Sequence, residues 1–286
     1  MASAAVADPV AVAADSANRR ADRIELFGIA IDTMRRSEVE RRIVAHLADP
    51  NAGLLHIATV NPEYVVAAHR DRAFRRALND ADLSVLDGVG VVVAARLLCS
   101  VETERVTGID LVESLFSISP QAPPRIFLLG NPFSIAELQG RHPTRVVGRW
   151  GSGSAAPADD GQSIERIRER RADVVLVGYG APGQVYWIER NRPALAAIGV
   201  KVAIGVGGAL DFAAGTVERA PTIVRRLGLE WCFRLLREPW RWRRQLALPV
   251  FVGMVTRAWL SLRLRKEIGT CRILAHDDEP HERQLQ

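Results

Sequence analysis

Lysine is nearly absent: of 38 basic residues only Lys201 and Lys266 are not arginine. Arginine content by itself therefore says little, and its placement says more. Cysteine is scarce too. Cys99, Cys232 and Cys271 lie far apart with no CxxC pair, which excludes a zinc knuckle and a small disulfide-stapled fold and points to a reducing, cytoplasmic compartment. No apolar run reaches the roughly 18 to 20 residues that cross a bilayer; the longest, Leu246 to Val255, is interrupted by Pro249 and Gly253. The segment Met1 to Ala21 carries Asp8 and Asp15 and has no basic residue ahead of its apolar part, so it reads as a disordered leader over residues 1–21 and not as a secretory signal.

What is present is ordinary in amount and unusual in arrangement. With 286 residues, 48% apolar and 25% charged, the chain has ample length for a core, and a wholly disordered or collagen-like protein is excluded. From Arg219 to Lys266 there are 12 basic residues against Glu230 and Glu238, a local charge of +10; with +5 overall, the remainder carries −5. A basic module joined to a mildly acidic body suggests a polyanionic surface or a phosphorylated ligand.

From Ile24 to Ile204 short β-branched or leucine-rich runs alternate with longer helical stretches. Strands are expected at Ile24–Ile31, Leu54–Thr59, Leu83–Leu86, Arg125–Leu129, Arg145–Gly148, Asp173–Gly178 and Val200–Gly205. Helices are expected at Ser37–Ala48, Pro62–Asn79, Val89–Leu98, Ile109–Phe116, Ile164–Arg171 and Gln184–Asn191. Runs such as Val174–Val177 and Ile126–Leu129 do not alternate in polarity, as in strands buried on both faces. The expected fold is α/β, a mostly parallel sheet flanked by helices in a Rossmann-like arrangement, over residues 22–210. After Asp211 strand patterns cease, so a basic helical appendage is expected at 211–270 and a disordered tail at 271–286.

Ligands of parallel α/β sheets bind at the carboxyl ends of strands, and the loops there are distinctive. Thr59-Val-Asn61-Pro62 begins a helix, with Asn61 as N-cap and Pro62 as first helical residue; helix initiation leaves Thr59 unexplained, and both polar groups suit a sugar or its phosphates. Asp87 ends a hydrophobic strand ahead of Gly88 and Gly90, which fits a general base or sugar binder as well as a helix cap. Arg105 precedes the near capping box Thr107…Asp110 and suits a phosphate at a helix start. Gly178-Tyr-Gly-Ala-Pro-Gly-Gln184 forms a tight loop in which Gln184 suits sugar hydroxyls, with Trp187 one turn later in the core. Gly205-Val-Gly-Gly208 is a weak anion nest or a close-packing site. Asp80 and Asp82 have a metal-binding spacing but precede a strand, so no metal site is assigned.

Taken in order, Thr59-x-Asn61-Pro62, Leu86-Asp87-Gly88-x-Gly90, Glu104-Arg105-Val106-Thr107-Gly108, Gly178-x-Gly180-x-Pro182-x-Gln184-x-x-Trp187, Gly205-Val206-Gly207 with Asp211-Phe212, and Arg219-Ala220-Pro221 resemble the WecG/TagA/CpsF glycosyltransferases. So do Gly228-Leu229-Glu230-Trp231 and Glu238-Pro239 with Arg241-Trp242-Arg243-Arg244. The resemblance covers about residues 24–250. It implies an inverting transfer from a UDP-sugar to a sugar on a polyprenyl-diphosphate lipid at the inner membrane face, without a cofactor or metal, for cell-surface or exo-polysaccharide synthesis. The sugar it implies is N-acetylmannosamine, its uronic acid, or glucose. By the same resemblance Asp87 is the base, Thr59, Asn61, Arg105 and Gln184 line the pocket, and Arg219, Arg225 and Arg226 meet the donor diphosphate.

Chemistry is consistent with that assignment. An inverting transfer needs one carboxylate as base, and arginines can offset the charge of a departing diphosphate in place of a metal. The appendage interleaves basic residues with apolar ones, and Trp240, Arg241, Trp242, Arg243, Arg244, Phe251 and Trp259 are expected at an anionic headgroup layer. Two competing readings are a nucleic-acid binder using the basic tail and a dinucleotide-dependent oxidoreductase built on Gly205-x-Gly207-Gly208. The first leaves the glycine loops without purpose, so no nucleic-acid partner is expected. The second lacks an acidic ribose-binding residue about 20 positions on. A homo-oligomer is compatible with the sequence, which does not fix the oligomeric state.

Overall fold

The computed structural model describes residues 23–118, 123–221, 224, 230–237, 242–264 and 271–274. Among the described residues nine strands form one sheet: β1 Arg23–Leu26, β2 Ile29–Asp32, β3 Leu55–Val60, β4 Leu83–Leu86, β5 Ile126–Leu129, β6 Val146–Trp150, β7 Val174–Val177, β8 Val202–Gly205 and β9 Cys271–Leu274. Their order is β6-β5-β7-β8-β3-β4-β2-β1-β9. The run from β6 to β2 is parallel, while β1 pairs antiparallel with both β2 and β9. β3, β4, β5, β7 and β8 are buried along their whole length, which is why they read as unbroken apolar runs.

Helices cover both faces. On one lie α1 (Arg36–Ala48), α5 (Gly108–Ser117), α6 (Pro132–Arg141) and the short α9 (Ala209–Ala213), closing a core around Ile57, Leu128, Leu176 and Ile204. On the other lie α2 (Pro62–Arg70), α3 (Arg72–Asn79) and α4 (Val89–Cys99), with α7 (Asp160–Arg170) and α8 (Gly183–Ala197) toward the β5–β6 edge. Trp187 of α8 is fully buried there, with Phe127 and Ile167. Among the described appendage residues are α10 (Glu230–Arg237), α11 (Trp242–Gln245) and α12 (Ala247–Arg263). No described helix is long and apolar enough to cross a membrane.

Four sequence expectations change. Ile24–Ile31 is a hairpin, not one strand, because Phe27 (φ 53°) and Gly28 (φ 80°) both take positive φ, as a two-residue turn between antiparallel strands requires. The expected helix Pro62–Asn79 breaks at Asp71, whose side chain accepts from the Ala73 and Phe74 amides and caps a second helix. The expected tail from residue 271 begins instead with β9, which pairs with β1 and covers what would be an open sheet edge. Finally, Cys99, the last residue of α4, and Cys271, the first of β9, form a disulfide with Cα atoms 5.6 Å apart. Separation along the chain concealed that proximity, and the bond removes the cysteine argument for a reducing compartment. The leader 1–21 lies outside the described residues.

Candidate active site

The carboxyl ends of the central strands β3, β4 and β8 open into a cavity of about 680 Å³, and α12 forms its far wall. Thr59, Asn61, Asp87, Arg105 and Gln184 all line it. Five residues spread over 126 positions of sequence are therefore brought to one place by strand order. β4 lies beside β3, and the backbone amide of Asp87 donates to the Val60 carbonyl at 2.8 Å. The Val106 amide donates to Leu86 O at 2.9 Å, which holds Arg105 alongside the end of β4.

Local chemistry explains each loop. Asn61 Oδ1 accepts from the Tyr64 amide at 3.1 Å, so Asn61 caps α2 as its sequence suggests. Thr107 and Asp110 form a reciprocal capping box at the start of α5. Gly88 has φ +110° and abuts Pro62, a conformation that L side chains avoid. At Gly90 a Cβ would come within 3.2 Å of Pro62 and 3.3 Å of Phe251, so the first turn of α4 can approach the α2 start and α12 only without a side chain.

Thr59 and Gln184 are engaged by protein. The Thr59 hydroxyl is buried and donates to the Gly205 carbonyl at 2.8 Å, joining the ends of β3 and β8. Gln184, 2% exposed, bonds three elements: Oε1 accepts from the Gly180 amide at 3.0 Å and the Gly207 amide at 2.9 Å, and Nε2 donates to the Tyr64 hydroxyl at 2.6 Å. A Cβ on Gly205 would meet Gln184 Nε2 at 2.9 Å, so the glycine after β8 gives the amide its room. The Gly205–Gly208 cluster serves close packing, its Val206 and Gly207 amides being already bonded to Val177 O and, for Gly207, to Gln184.

Other expected site residues divide. Arg219 pairs with Glu113 at 3.0 Å and does not line the cavity. Arg225, Arg226, Trp240 and Arg241 lie outside the described residues, as do the side chains of Arg243 and Arg244. Trp242 is exposed, and Trp259 is half-buried, with the Arg263 guanidinium 4.9 Å from its ring centroid. Phe251 is a correction. At 3% exposed it packs against Gly90 and edge-on to Phe27, which leaves it no surface for a headgroup layer.

Asp80 and Asp82 precede β4, at the amino end of the strands and away from the cavity at their carboxyl ends. Asp82 Oδ2 accepts from the His56 amide and from Arg192 Nη1, each at 2.8 Å. Arg192 also bonds Glu189, which bonds the buried His56 Nδ1. Burial pushes the Glu189 carboxyl up, but the hydrogen bonds and charges of His56 and Arg192 together outweigh it and hold the group below the usual carboxylate range.

Two contributors were not anticipated from sequence. Tyr64 is a buried partner of Gln184 that also lines the cavity; nothing in its spacing separates it from an ordinary core tyrosine. The second is a row of apolar residues on α4 and α12, for which α4 did carry a signal. Apart from Arg96 its sequence is apolar, and a helix of that kind is normally covered nearly all round.

The sequence model of the glycosyl transferase WecG/TagA/CpsF family matches residues 24–265. The chain is 32% identical over 211 residues to an N-acetylglucosaminyldiphosphoundecaprenol N-acetyl-beta-D-mannosaminyltransferase of Bacillus subtilis (strain 168), covering 72% of this chain and 80% of that protein. It is 29% identical over 249 residues to the protein of the same name from Staphylococcus aureus (strain MRSA252), covering 85% and 96%.

Proposed function

Because the chain belongs to the WecG/TagA/CpsF family of glycosyl transferases, we propose that it moves an N-acetylmannosaminyl unit from a UDP-sugar onto N-acetylglucosamine linked through diphosphate to undecaprenol. The relatives' names support this donor sugar and acceptor. The observation that carries the reading is Asp87, which follows β4 at its carboxyl end and lines the cavity together with Arg105 and Asn61.

In this mechanism Asp87 takes the proton of the acceptor hydroxyl as that oxygen attacks the anomeric carbon from the face opposite the diphosphate. The bond from the anomeric carbon to the diphosphate oxygen breaks, its electron pair leaves with UDP, and configuration inverts. Arg105, which lines the cavity, meets the charge that develops on the leaving group, with Arg225 and Arg226 as the remaining appendage candidates, so no metal is needed. Arg257 and Arg263 of α12, with exposed Trp242 beside it, hold the enzyme peripherally at the anionic membrane face where the acceptor resides.

The test is transfer of labelled sugar from UDP-N-acetylmannosamine to the diphosphate-linked acceptor. Asp87→Asn, which keeps the shape and loses the base, is expected to lower kcat at least about 100-fold. Turnover within a few-fold of wild type would remove Asp87 as the base.

A further inference from the structure

The cavity has two chemically different ends. Among the described residues, those that line it with charge, Glu63, Asp87 and Arg105, gather where the sheet opens into it. Beyond them α4 contributes Val89, Val93 and Leu97, one per helical turn, and α12 contributes Leu248, Val252 and Val255 at the matching spacing. No charged residue of either helix lines the cavity. Leu248 and Val255 are half-buried, but the others are not covered: Val93 is 42% exposed, Leu97 50% and Val252 59%.

The opposite face of α4 is core, with Val91, Val92, Ala94, Ala95 and Leu98 buried, so the helix spends apolar side chains on its outer face without burying them. An apolar surface continuous with a charged pocket suits an amphiphile whose head lies in one and whose tail lies in the other.

We propose that the α4–α12 groove binds the diphosphate-proximal isoprene units of the acceptor lipid, lifting the start of the prenyl chain out of the bilayer so that the sugar it carries reaches Asp87. This rests on the transfer reading above. The stripe from Val89 to Leu97 runs about 12 Å along α4. It begins at the residue next to Gly88, two positions from Asp87, so head and tail sites follow one another along the chain. A bilayer surface or a second copy of the protein, covering the same residues, would have no reason to depend on the length of a soluble ligand's chain.

The probe is farnesyl diphosphate, titrated calorimetrically against the full chain without vesicles, beside methyl diphosphate. Tighter binding of the farnesyl compound is expected, and Val93→Ser/Leu97→Ser is expected to cut that advantage about tenfold, or 1.4 kcal/mol. Both positions are solvent-exposed, and an unchanged melting temperature verifies that the variant folds. An equal advantage in the variant, or none in the wild type, overturns the groove. In the transfer assay, the ratio of kcat/KM for a farnesyl-diphosphate-linked acceptor to that for a methyl-diphosphate-linked one should fall by the same factor. Farnesyl diphosphate binding that the variant weakens, in an enzyme that transfers to neither acceptor, would sink the transferase reading and leave the groove standing.

Discussion

Gln184 offers the sharpest separation between binding a substrate and building the site. Family resemblance alone assigns it to the substrate, whereas its amide joins the loop after β7, the loop after β8 and α2 through three hydrogen bonds. Gln184→Met keeps the length of the side chain and deletes all three. The Gly180 and Gly207 amides border the cavity, so their loss costs about 1 kcal/mol each; the bond to Tyr64 is fully buried and costs about 1 to 2, near 3 to 4 kcal/mol in total. For a domain of this size, with about 2 to 4 °C per kcal/mol, the melting temperature should fall by about 10 °C. Differential scanning fluorimetry reads that directly. Gln184→Glu still accepts from both amides and lets the Tyr64 hydroxyl turn to donate, so its loss should be smaller. A Gln184→Met enzyme that melts within about 2 °C of wild type yet loses turnover would refute the positioning role and return Gln184 to the substrate.

Four further outcomes are expected. Thiol titration of the native protein should find Cys232 alone among the three cysteines, because Cys99 and Cys271 are bridged; three reactive thiols would contradict this. Closing a loop of 172 residues contributes up to about 5 kcal/mol on the chain-entropy argument, so Cys271→Ser should melt well below wild type. Glu189 has its carboxyl held down by His56 and Arg192; a depressed folded-state pKa stabilises above the unfolded value and is lost as pH falls through the folded one. Denaturant midpoints should therefore drop as pH falls below the usual carboxylate range, and Glu189→Gln should flatten that acid limb; an unchanged limb would show the network carries no such linkage. Finally, if arginines stabilise the leaving diphosphate, EDTA should leave transfer largely intact; complete loss restored by manganese would show that a metal does that work.

Local rules make much of this protein legible in its amino acids. Unbroken apolar runs mark strands buried on both faces, Asn61-Pro62 and Thr107…Asp110 announce helix starts, and the carboxyl-end principle points to Asp87, Asn61 and Arg105. These are properties of a few neighbouring residues: helix caps are satisfied within a turn, and an unbroken apolar run is buried on both faces whichever strands it pairs with. What neighbours along the chain cannot report is who meets whom across it. Gln184 and Tyr64 meet because β8 inserts beside β3. Phe251 turns inward because Gly90 leaves room for its ring, and Cys271 reaches Cys99 because β1 accepts a further strand. The amino acids dictated the layers and the loop chemistry; close packing of distant segments decided which polar groups remain available to a ligand and which hold the walls of the cavity in place.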